Sequence, residues 1–408
     1  MVKTITQVPS GIAHTKFEIG HSNWDAPQHL ALSQLKMDSL FSTVAIEASE
    51  KPLNLPAADQ SLDLDSFVFD DPLHPGRQMS ATQFLDRRVF NDALMIIRRG
   101  ELVHESYRNG MCAQDRHVLH SCTKSLCAML VAIAVDEGRM QREATIDQYI
   151  EPLRKIPAWQ GVTLQQVLDM QAGIAYSEDY TDPDAHYWHY ARAAGYYPPL
   201  PGEQAIGVRG WILANLTERE HAPGTRFAYN SCLANILGMA LEHVYDRGLD
   251  TLFEEKLYQR VGAEVDGYFN TDRMGFPIVE GQLNLRLRDF ARLSLLLANG
   301  GRNLAGEQVL PADFIVRITN PDPAAQNAYQ AGKADELFPS AQYKEQFWVL
   351  DPDRSQFAML GIHGQFAWYD LERELLIVGY GSYPVQDGSL KMTALNTLWQ
   401  TIAACSER

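Results

Sequence analysis

The chain has 408 residues, of which 46% are hydrophobic and 21% charged, a composition typical of a folded globular protein and unlike that of disordered or fibrous chains. Its 35 Lys and Arg against 51 Asp and Glu give a formal net charge of -16, which argues against binding to nucleic acid or to an anionic membrane surface. The length predicts two or three compact domains, or one large domain that carries an inserted one.

The amino-terminal stretch "MVKTITQVPSGIAHTKFEIG" lacks the order of regions found in a secretory signal, so we expect a cytoplasmic protein. Residues 1–90 are rich in Pro, Asp and His and show little periodicity, and we expect them to wrap the surface. From Asn91 onward, two apolar runs flank a turn at Arg99-Gly100-Glu101, which predicts a β-hairpin and the start of a sheet.

Residues 121–140 form the strongest helical segment of the chain, and Gly138 suits its end. Because the segment is apolar nearly all round, it is predicted to lie in the centre of the protein. Its longest apolar run, "LCAMLVAIAV", is far shorter than the roughly 20 residues that cross a bilayer.

Helical segments separated by loops follow over residues 161–300, and apolar strand patterns return near the carboxyl end before a final helix. A strand frame interrupted by helices predicts an α/β layer with an α insertion. We place the boundaries at 1–145 and 285–408 for the two parts of the α/β domain, and at 146–284 for a mainly helical domain.

Neither the cysteines nor the acidic segments predict a metal site. The five cysteines are odd in number and contain no C-x-x-C, so we expect free, mostly buried thiols. The segment "YSEDYTDPDAHYWHY" is rich in Asp, Glu and His, but its spacing fits neither a calcium loop nor a zinc pattern. We expect it to be a solvated loop.

The pattern Ser-x-x-Lys occurs twice, at Ser33–Lys36 and at Ser121–Lys124. The first copy lies in a short polar segment among prolines, whereas the second opens the buried helix. Residues i and i+3 of a helix share a face, so the amine of Lys124 can reach the hydroxyl of Ser121. Burial lowers the pKa of a lysine and makes it a base near neutral pH, and a helix N-terminus offers free N–H groups to an oxyanion. Alternatively, Ser121 caps the helix and Lys124 extends to solvent.

Two further segments add candidate groups. In "FAYNSCLAN", Tyr229 immediately precedes another apolar helix, and in "GIHG" the glycines Gly361 and Gly364 give a backbone that a substrate can approach closely, with His363 beside it. The alternatives are a core aromatic residue and a kink in a strand.

These motifs resemble the penicilloyl-serine transferase superfamily, which includes class C β-lactamases, DD-peptidases and family VIII carboxylesterases. Within it, the chain is most similar to the 6-aminohexanoate-dimer (nylon oligomer) hydrolases. The segments that carry the resemblance follow in the same order between Asn91 and Tyr383: "KSLCAMLVAIAVDEGRM", "QQVLDMQAGIAYSEDYTDP", "FAYNSCLAN", "LRDFARLSLLLANGG" and "GIHGQFAWYD". The resemblance implies a β-lactamase/transpeptidase-like α/β fold, in which helices flank an antiparallel sheet and a second domain is largely helical.

The resemblance also implies catalytic roles. Ser121 corresponds to the nucleophile, Lys124 to its base or activating group, and Tyr229 to the group that relays a proton to the leaving group. Which of Lys124 and Tyr229 acts as the general base stays open.

The remaining site residues follow in the same way. The backbone N–H groups of Ser121 and Ile362 correspond to the oxyanion hole, and Tyr180 corresponds to a tyrosine over the substrate. We place His363 with Tyr180 as a substrate-binding residue. The family's β-lactamases carry Lys-Thr-Gly or His-Thr-Gly on the last strand, whereas this chain has "GIHG", which argues against a strong β-lactamase.

The expected function is that of a serine hydrolase that cleaves carboxylic esters or small linear amides through an acyl-enzyme, with no metal and no organic cofactor. Three alternatives stay open: a class C β-lactamase or D-alanyl-D-alanine carboxypeptidase, a catalytically inactive ligand-binding relative, and a structural or interaction protein. The expected partner is a small ester or amide, without nucleic acid or membrane, and a homodimer is left open.

Overall fold

The computed structural model describes residues 12–13, 18–203, 206–333 and 335–405. Its strands are β1 (Ile12–Ala13), β2 (Glu18–Ile19), β3 (Thr43–Ile46), β4 (Val68–Asp70), β5 (Gln78–Ser80), β6 (Asn91–Arg98), β7 (Glu101–Tyr107), β8 (His117–Val118), β9 (Gly267–Asn270), β10 (Leu283–Leu285), β11 (Gln342–Lys344), β12 (Phe347–Asp351), β13 (Gln356–Gly361), β14 (Gln365–Asp370) and β15 (Leu375–Gly381).

The α-helices are α1 (Leu30–Ser33), α2 (Met37–Leu40), α3 (Ala81–Phe84), α4 (Cys122–Asp136), α5 (Leu164–Leu168), α6 (His186–Ala194), α7 (Gly207–Asn215), α8 (Ser231–Tyr245), α9 (Leu249–Phe253), α10 (Leu287–Ala298), α11 (Ala312–Thr319), α12 (Pro323–Gly332) and α13 (Ser389–Cys405). Short 3₁₀ segments span Leu64–Ser66, Ile146–Gln148, Glu151–Lys155, Pro157–Trp159, Pro352–Arg354 and Ile362–Gly364, and single π turns span Leu85–Val89 and Glu254–Tyr258. None of the helices in the described ranges has the length and apolar character that a bilayer crossing requires.

The central sheet joins the two ends of the chain. Within the described residues it has seven strands in the order β11-β12-β13-β14-β15-β6-β7, and every neighbouring pair is antiparallel. The β6–β7 hairpin turns at Arg99 and Gly100, as predicted from the sequence. It lies beside β15, where Ile96 pairs with Ile377, so the sheet contains strands from both parts of the predicted α/β domain.

Helices cover both faces of this sheet. Successive side chains of a strand point to opposite faces, and β14 shows the consequence. The indole of Trp368 stacks on Trp399 of α13 with ring centroids 5.8 Å apart, whereas the hydroxyl of Tyr369 donates to the carbonyl of Ser294 in α10 at 3.2 Å. The predicted antiparallel sheet between helical layers is therefore confirmed.

Helix α4 lies in the protein centre, as its apolar sequence predicts. Every residue from Cys122 to Ala134 is buried, and the helix packs against α8 on one side and against β13 and β14 on another. It ends earlier than predicted, at Asp136, because Gly138 adopts a left-handed conformation with φ 71° in the turn that follows.

The labelled elements between α4 and β9 are helical throughout the described residues, namely α5 to α9. Strands β9 and β10 depart from that pattern, because they form a small antiparallel sheet with β3 and β8 in the order β3-β9-β10-β8. Strand β9 lies inside the segment 146–284, which the sequence analysis assigned to the helical domain, and β10 crosses the predicted boundary at residue 284. The exact domain boundaries stay a prediction.

The amino-terminal segment does more than wrap the surface. Trp24, Met37 and Phe41 are buried in a separate apolar cluster with Val118 and Tyr268, which flank the start of α4 and the small sheet. Residues before Ile12 lie outside the described part of the chain. The expectation that residues 1–90 wrap the surface therefore does not hold for these three side chains, which are buried beside the start of α4.

Candidate active site

Ser121 and Lys124 are in hydrogen-bonding contact. The ammonium nitrogen of Lys124 lies 2.8 Å from the hydroxyl oxygen of Ser121 and 2.5 Å from the backbone carbonyl oxygen of Glu280. Ser121 stands at the N-cap position of α4, yet its side chain makes no capping hydrogen bond, and Lys124 is 1% exposed. The alternative, in which the serine caps the helix and the lysine reaches solvent, does not fit this geometry.

Burial gives Lys124 the properties of a base. Loss of hydration lowers the pKa of its ammonium group, while the carboxylates of Glu280 and Glu178 raise it. Burial dominates, so the neutral amine is more accessible than in an exposed lysine. A neutral amine 2.8 Å from a serine hydroxyl can accept its proton.

Tyr229 completes a group of three polar side chains. Its residue lies two positions before α8, whose N-cap Asn230 accepts a hydrogen bond from the backbone N–H of Cys232 and so fixes the start of the helix. The ammonium of Lys124 lies 5.2 Å from the centre of the phenol ring. Burial raises the pKa of Tyr229 well above its usual value, and a hydrogen bond with Ser121 opposes that rise.

The strand segment at Gly361 approaches the start of α4 very closely. A Cβ atom on Gly361 would lie 2.7 Å from the carbonyl oxygen of Leu119, so only glycine fits there. His120, just before the serine, holds a left-handed φ of 44°. This contact brings Ile362 beside Ser121, and both line one cavity. Within the described residues, the N–H of Ser121 donates to no backbone acceptor, as an oxyanion donor requires.

The cavity at Ser121 has a volume of about 240 Å³. Tyr229, Tyr180 and Ile362 line it together with the serine. Lys124 does not line the cavity but contacts Ser121, and His363 is not among the lining residues either. Its remaining walls are mostly apolar: Phe227, Phe338, Trp348, Leu350, Leu360 and Leu395. Such a lining is typical of pockets that bind apolar parts of small molecules.

Glu178 is a site residue that the sequence analysis missed. One of its carboxylate oxygens accepts hydrogen bonds from the hydroxyls of Tyr180 at 2.8 Å and Ser231 at 2.6 Å, and the other accepts from the backbone N–H of Ser231 at 2.8 Å. The expected solvated loop therefore does not hold at this position, although Asp179, its neighbour, is exposed. The carboxylate ties the loop that carries Tyr180 to the start of α8.

Glu280 is a second residue without a sequence signal. Its carbonyl oxygen accepts from Lys124, and one oxygen of its carboxyl group accepts from the hydroxyls of Tyr190 and Tyr196. Burial raises the pKa of Glu280, and the positive charge of Lys124 opposes the rise. Glu280 thereby fixes the position of the lysine from a residue 156 positions away in the chain.

His363 does not lie at the cavity. Its imidazole is 1% exposed, and Nδ1 is 2.8 Å from the carbonyl oxygen of Tyr383. Burial lowers the pKa of His363 to about 4, so the ring is neutral at physiological pH. The structure gives the predicted substrate contact of His363 no geometric support, because its buried ring lies beside His120, with ring centroids 5.6 Å apart, and does not line the cavity.

The described residues contain no cluster of metal-ligating side chains. The cysteines in that part of the chain are free thiols, and Cys122, Cys127 and Cys232 are buried, as the sequence predicts.

An antiparallel sheet between helices, with a Ser-x-x-Lys pair at the start of a central helix, defines a fold of the β-lactamase and transpeptidase type. A family model described as Beta-lactamase matches residues 77–392, and the chain belongs to this family of serine hydrolases. Among curated proteins, the chain is similar to the 6-aminohexanoate-dimer hydrolase of Paenarthrobacter ureafaciens, with 30% identity over 301 residues, which cover 72% of this chain and 74% of the relative.

Solved structures agree on the fold. A structure from Bacillus anthracis described as "Putative 6-aminohexanoate-dimer hydrolase" superposes with a TM-score of 0.86 at 23% identity and covers 97% of this chain and 99% of its own. A family VIII carboxylesterase superposes with a TM-score of 0.57 at 16% identity, covering 79% of this chain and 95% of its own. The similarity to the first structure extends over nearly the whole chain.

Proposed function

We propose that the chain is a serine hydrolase that cleaves carboxylic esters or small linear amides through an acyl-enzyme, with Ser121 as the nucleophile. The observation that carries this proposal is the 2.8 Å contact between the hydroxyl of Ser121 and the amine of the buried Lys124, at the wall of a largely apolar cavity. The curated relative of 30% identity bears the name of a 6-aminohexanoate-dimer hydrolase, which supports a linear amide among the substrates.

In acylation, Ser121, Lys124 and Tyr229 act one after another. The oxygen of Ser121 forms a bond to the carbonyl carbon of the substrate while its proton passes to the neutral amine of Lys124. The backbone N–H groups of Ser121 and Ile362 hold the resulting oxyanion. When the tetrahedral intermediate collapses, the bond to the leaving alcohol or amine breaks, and the hydroxyl of Tyr229 donates a proton to it and is reprotonated from Lys124.

Deacylation reverses these steps with water. A water molecule adds to the ester carbonyl as its proton passes to the Lys124–Tyr229 pair, the same backbone groups hold the oxyanion, and the bond to Ser121 breaks as its oxygen regains a proton. The carboxylic acid then leaves. Each step needs only groups that line or touch the cavity.

Ser121→Ala tests this proposal, with Ser33→Ala as the matched control from the second Ser-x-x-Lys segment. We expect turnover of 4-nitrophenyl butyrate to fall about 10³-fold or more in Ser121→Ala, the usual loss when such a nucleophile is removed. Ser33→Ala should retain full turnover. Retention of activity in Ser121→Ala would remove this serine from the mechanism.

Two alternatives, a β-lactamase or carboxypeptidase and an inactive relative, are tested with the same protein. Hydrolysis of a chromogenic cephalosporin faster than of any ester would favour a β-lactamase or D-alanyl-D-alanine carboxypeptidase. A folded protein that binds esters but takes no fluorophosphonate label at Ser121 would be an inactive relative. We expect ester hydrolysis and labelling at Ser121.

A further inference from the structure

A second and much smaller cavity adjoins Ser121. It has a volume of about 20 Å³ and shares four lining residues with the cavity of about 240 Å³, namely Ser121, Glu178, Tyr180 and Ile362. We refer to the two as the small cavity and the large cavity. One buried water molecule needs a volume of about 10–15 Å³, so the small cavity has room for a single water and is too small for an acyl chain.

Three consecutive residues just before β10, namely Glu280, Gly281 and Gln282, form one side of the small cavity. A Cβ atom placed on Gly281 would lie 3.5 Å from the carbonyl carbon of His120, the residue before the nucleophile. The same segment holds Lys124, because the carbonyl oxygen of Glu280 lies 2.5 Å from the ammonium nitrogen. The small cavity is therefore bounded by the nucleophile and by the segment that positions its base.

Two buried side chains of this segment have polar atoms without a hydrogen-bond partner among the described residues. Gln282 is 3% exposed, yet neither the oxygen nor the nitrogen of its side-chain amide makes a hydrogen bond there. Glu280 is 5% exposed, and the hydroxyls of Tyr190 and Tyr196 donate to only one of its two carboxyl oxygens. Because an unpaired polar group is costly inside a protein, these atoms indicate a small polar ligand at the cavity that both residues line.

A water molecule in the small cavity has the partners that it needs. Buried waters make two to four hydrogen bonds. The amide of Gln282 offers a donor and an acceptor, and the second carboxyl oxygen of Glu280 offers an acceptor. Because Ser121 lines the same cavity, a water held there lies beside the carbon of any ester that forms on this serine.

We propose that the small cavity binds the water molecule that hydrolyses the acyl-enzyme, with Glu280 and Gln282 as positioning residues for this water. The inference rests on the proposed function, because it requires an ester at Ser121. One O–H of the water donates to the second carboxyl oxygen of Glu280, and the amide of Gln282 donates to one of its lone pairs. The other O–H passes its proton to the Lys124–Tyr229 pair while the second lone pair forms the bond to the ester carbon. The bond from that carbon to the serine oxygen then breaks as this oxygen regains a proton from the pair.

The two cavities thereby divide the substrate from the water. The walls of the large cavity are mostly apolar and contact the acyl chain. The small cavity has polar side chains in its lining, among them Glu178, Ser231, Glu280 and Gln282. An acyl chain in the large cavity therefore leaves the position of the water unobstructed.

Gln282→Met tests the inference, because it removes the amide and keeps a side chain of similar length. The burst of 4-nitrophenol from 4-nitrophenyl butyrate measures acylation, and the decay of the butyrylated chain, followed by intact-mass spectrometry, measures deacylation. We expect deacylation to slow about tenfold, as for one lost hydrogen bond, and acylation to stay within about twofold of wild type. Once deacylation limits turnover, kcat and KM fall together and kcat/KM is retained.

Gly281→Ala tests the same site by reducing the volume of the small cavity. Its added methyl group meets His120 at an ordinary van der Waals distance, and Gly281 has no left-handed φ, so the variant should fold. We expect slow deacylation and retained acylation here as well. The control is Gln356→Met, because Gln356 is also 3% exposed, lies on β13 and lines neither cavity. It should leave both rate constants unchanged.

The outcomes separate this inference from the proposed function. Wild-type deacylation in both Gln282→Met and Gly281→Ala would overturn the water site and leave the hydrolase standing. Equal losses of acylation and deacylation in Gln282→Met would also overturn it, because they would show a structural role for this residue. A wild-type chain that takes no acyl group would contradict the proposed function, and the role of the water with it. A crystal structure of the wild type should show an ordered water within hydrogen-bonding distance of Gln282 and Glu280.

Discussion

The two Ser-x-x-Lys segments have the same spacing and different structures. At Ser121 the serine opens α4, a continuous buried helix, and the amine of Lys124 contacts the hydroxyl. At Ser33 the serine is the last residue of the short helix α1, whereas Lys36 is the N-cap of the next helix, α2, and is exposed. Because no single helix carries both residues of the first copy, they do not share a face.

The difference shows what makes a lysine a base. The buried Ser33 directs its hydroxyl to the backbone carbonyl oxygen of Leu30 at 3.4 Å, and its segment supports the site through the next residue, Gln34, whose side-chain nitrogen is 3.2 Å from Nε2 of His120. The spacing of the motif only allows the contact. Burial lowers the pKa of Lys124, and the carbonyl of Glu280 holds its ammonium group in place, so the proposed role as a base depends on this environment.

We expect the largest difference between the two Ser-x-x-Lys segments when the lysine of each is replaced in a separate variant. Lys124→Met removes the proton acceptor next to Ser121, so we expect kcat/KM for 4-nitrophenyl butyrate to fall about 10³-fold or more. Lys36→Met should have wild-type kinetics, because Lys36 is exposed and is not among the residues that line the cavity. Equal losses in the two variants would show that the buried contact has no special role.

The hydroxyl of Tyr229 is the third polar group near Ser121, and the first Ser-x-x-Lys segment has no counterpart to it in the proposed mechanism. Tyr229→Phe keeps the ring that stacks on Trp348 but removes the hydroxyl, so the leaving group loses its proton donor. We expect kcat to fall about 10²-fold, with the larger loss for amides, whose leaving groups are more basic. Tyr343→Phe, a buried neighbour whose ring centre lies 6.4 Å from that of Tyr229, is the control and should stay within about threefold of wild type. A similar loss in both variants would point to packing rather than proton transfer.

The loop that carries Tyr180 contains two neighbouring carboxylates, Glu178 and Asp179, whose substitution should have different effects. Glu178→Gln weakens the hydrogen bonds to Tyr180 and Ser231, so we expect about a tenfold rise in KM with a smaller change in kcat. Asp179→Asn alters the exposed neighbour and should change neither constant. A loss in kcat alone after Glu178→Gln would mean that this carboxylate takes part in the chemistry instead of positioning the loop.

The first Ser-x-x-Lys segment should matter for stability. Gln34→Leu leaves Nε2 of the buried His120 without its partner, and we expect the free energy of unfolding to fall by about 1–3 kcal/mol. Ser33→Ala removes only a long hydrogen bond and should cost less than about 1 kcal/mol. Urea titrations of both variants measure this difference. A larger cost for Ser33→Ala would reverse the roles that we assign to these residues.

The smallest effect is a pH dependence of stability. The unfolded chain holds the proton of Lys124 up to its usual pKa of about 10.4, whereas burial lowers the pKa in the folded state. Between these values the unfolded chain binds more protons, so the free energy of unfolding rises with pH. We therefore expect wild type to gain stability relative to Lys124→Met between pH 7 and 10, while kcat/KM rises as the neutral amine forms. The difference in the free energy of unfolding between wild type and Lys36→Met should not change over the same pH range. A change with pH in that pair would contradict the assignment of the effect to Lys124.

The sequence was sufficient for the parts of the site that depend on local structure. Ser121 and Lys124 lie three residues apart on a helix whose apolar pattern is continuous, and Tyr229 stands just before another helix, so their placement follows from periodicity. The family resemblance supplied Tyr180 and Ile362. The antiparallel sheet between helices was likewise predicted and is confirmed.

Contacts between distant segments could not be predicted. Glu178 meets Ser231 across 53 residues, and the backbone carbonyl of Glu280 meets Lys124 across 156 residues. No local periodicity predicts either contact. Gln34 lies in the first Ser-x-x-Lys segment, which the sequence describes only as a short polar segment among prolines, yet it is completely buried. His363 was placed at the substrate because of its position next to Ile362, but its side chain is buried beside the ring of His120 and does not line the cavity.

The central claim is that the chain forms an ester with its substrate at the serine that opens α4. Acid quenching of the reaction with a 4-nitrophenyl ester, followed by mass spectrometry of the intact chain and its peptides, measures this directly. We expect one acyl group per chain, on the peptide that contains Ser121, and its absence in Ser121→Ala. Acylation of a different residue, such as Ser33, or steady ester turnover with no acylated chain would contradict the claim.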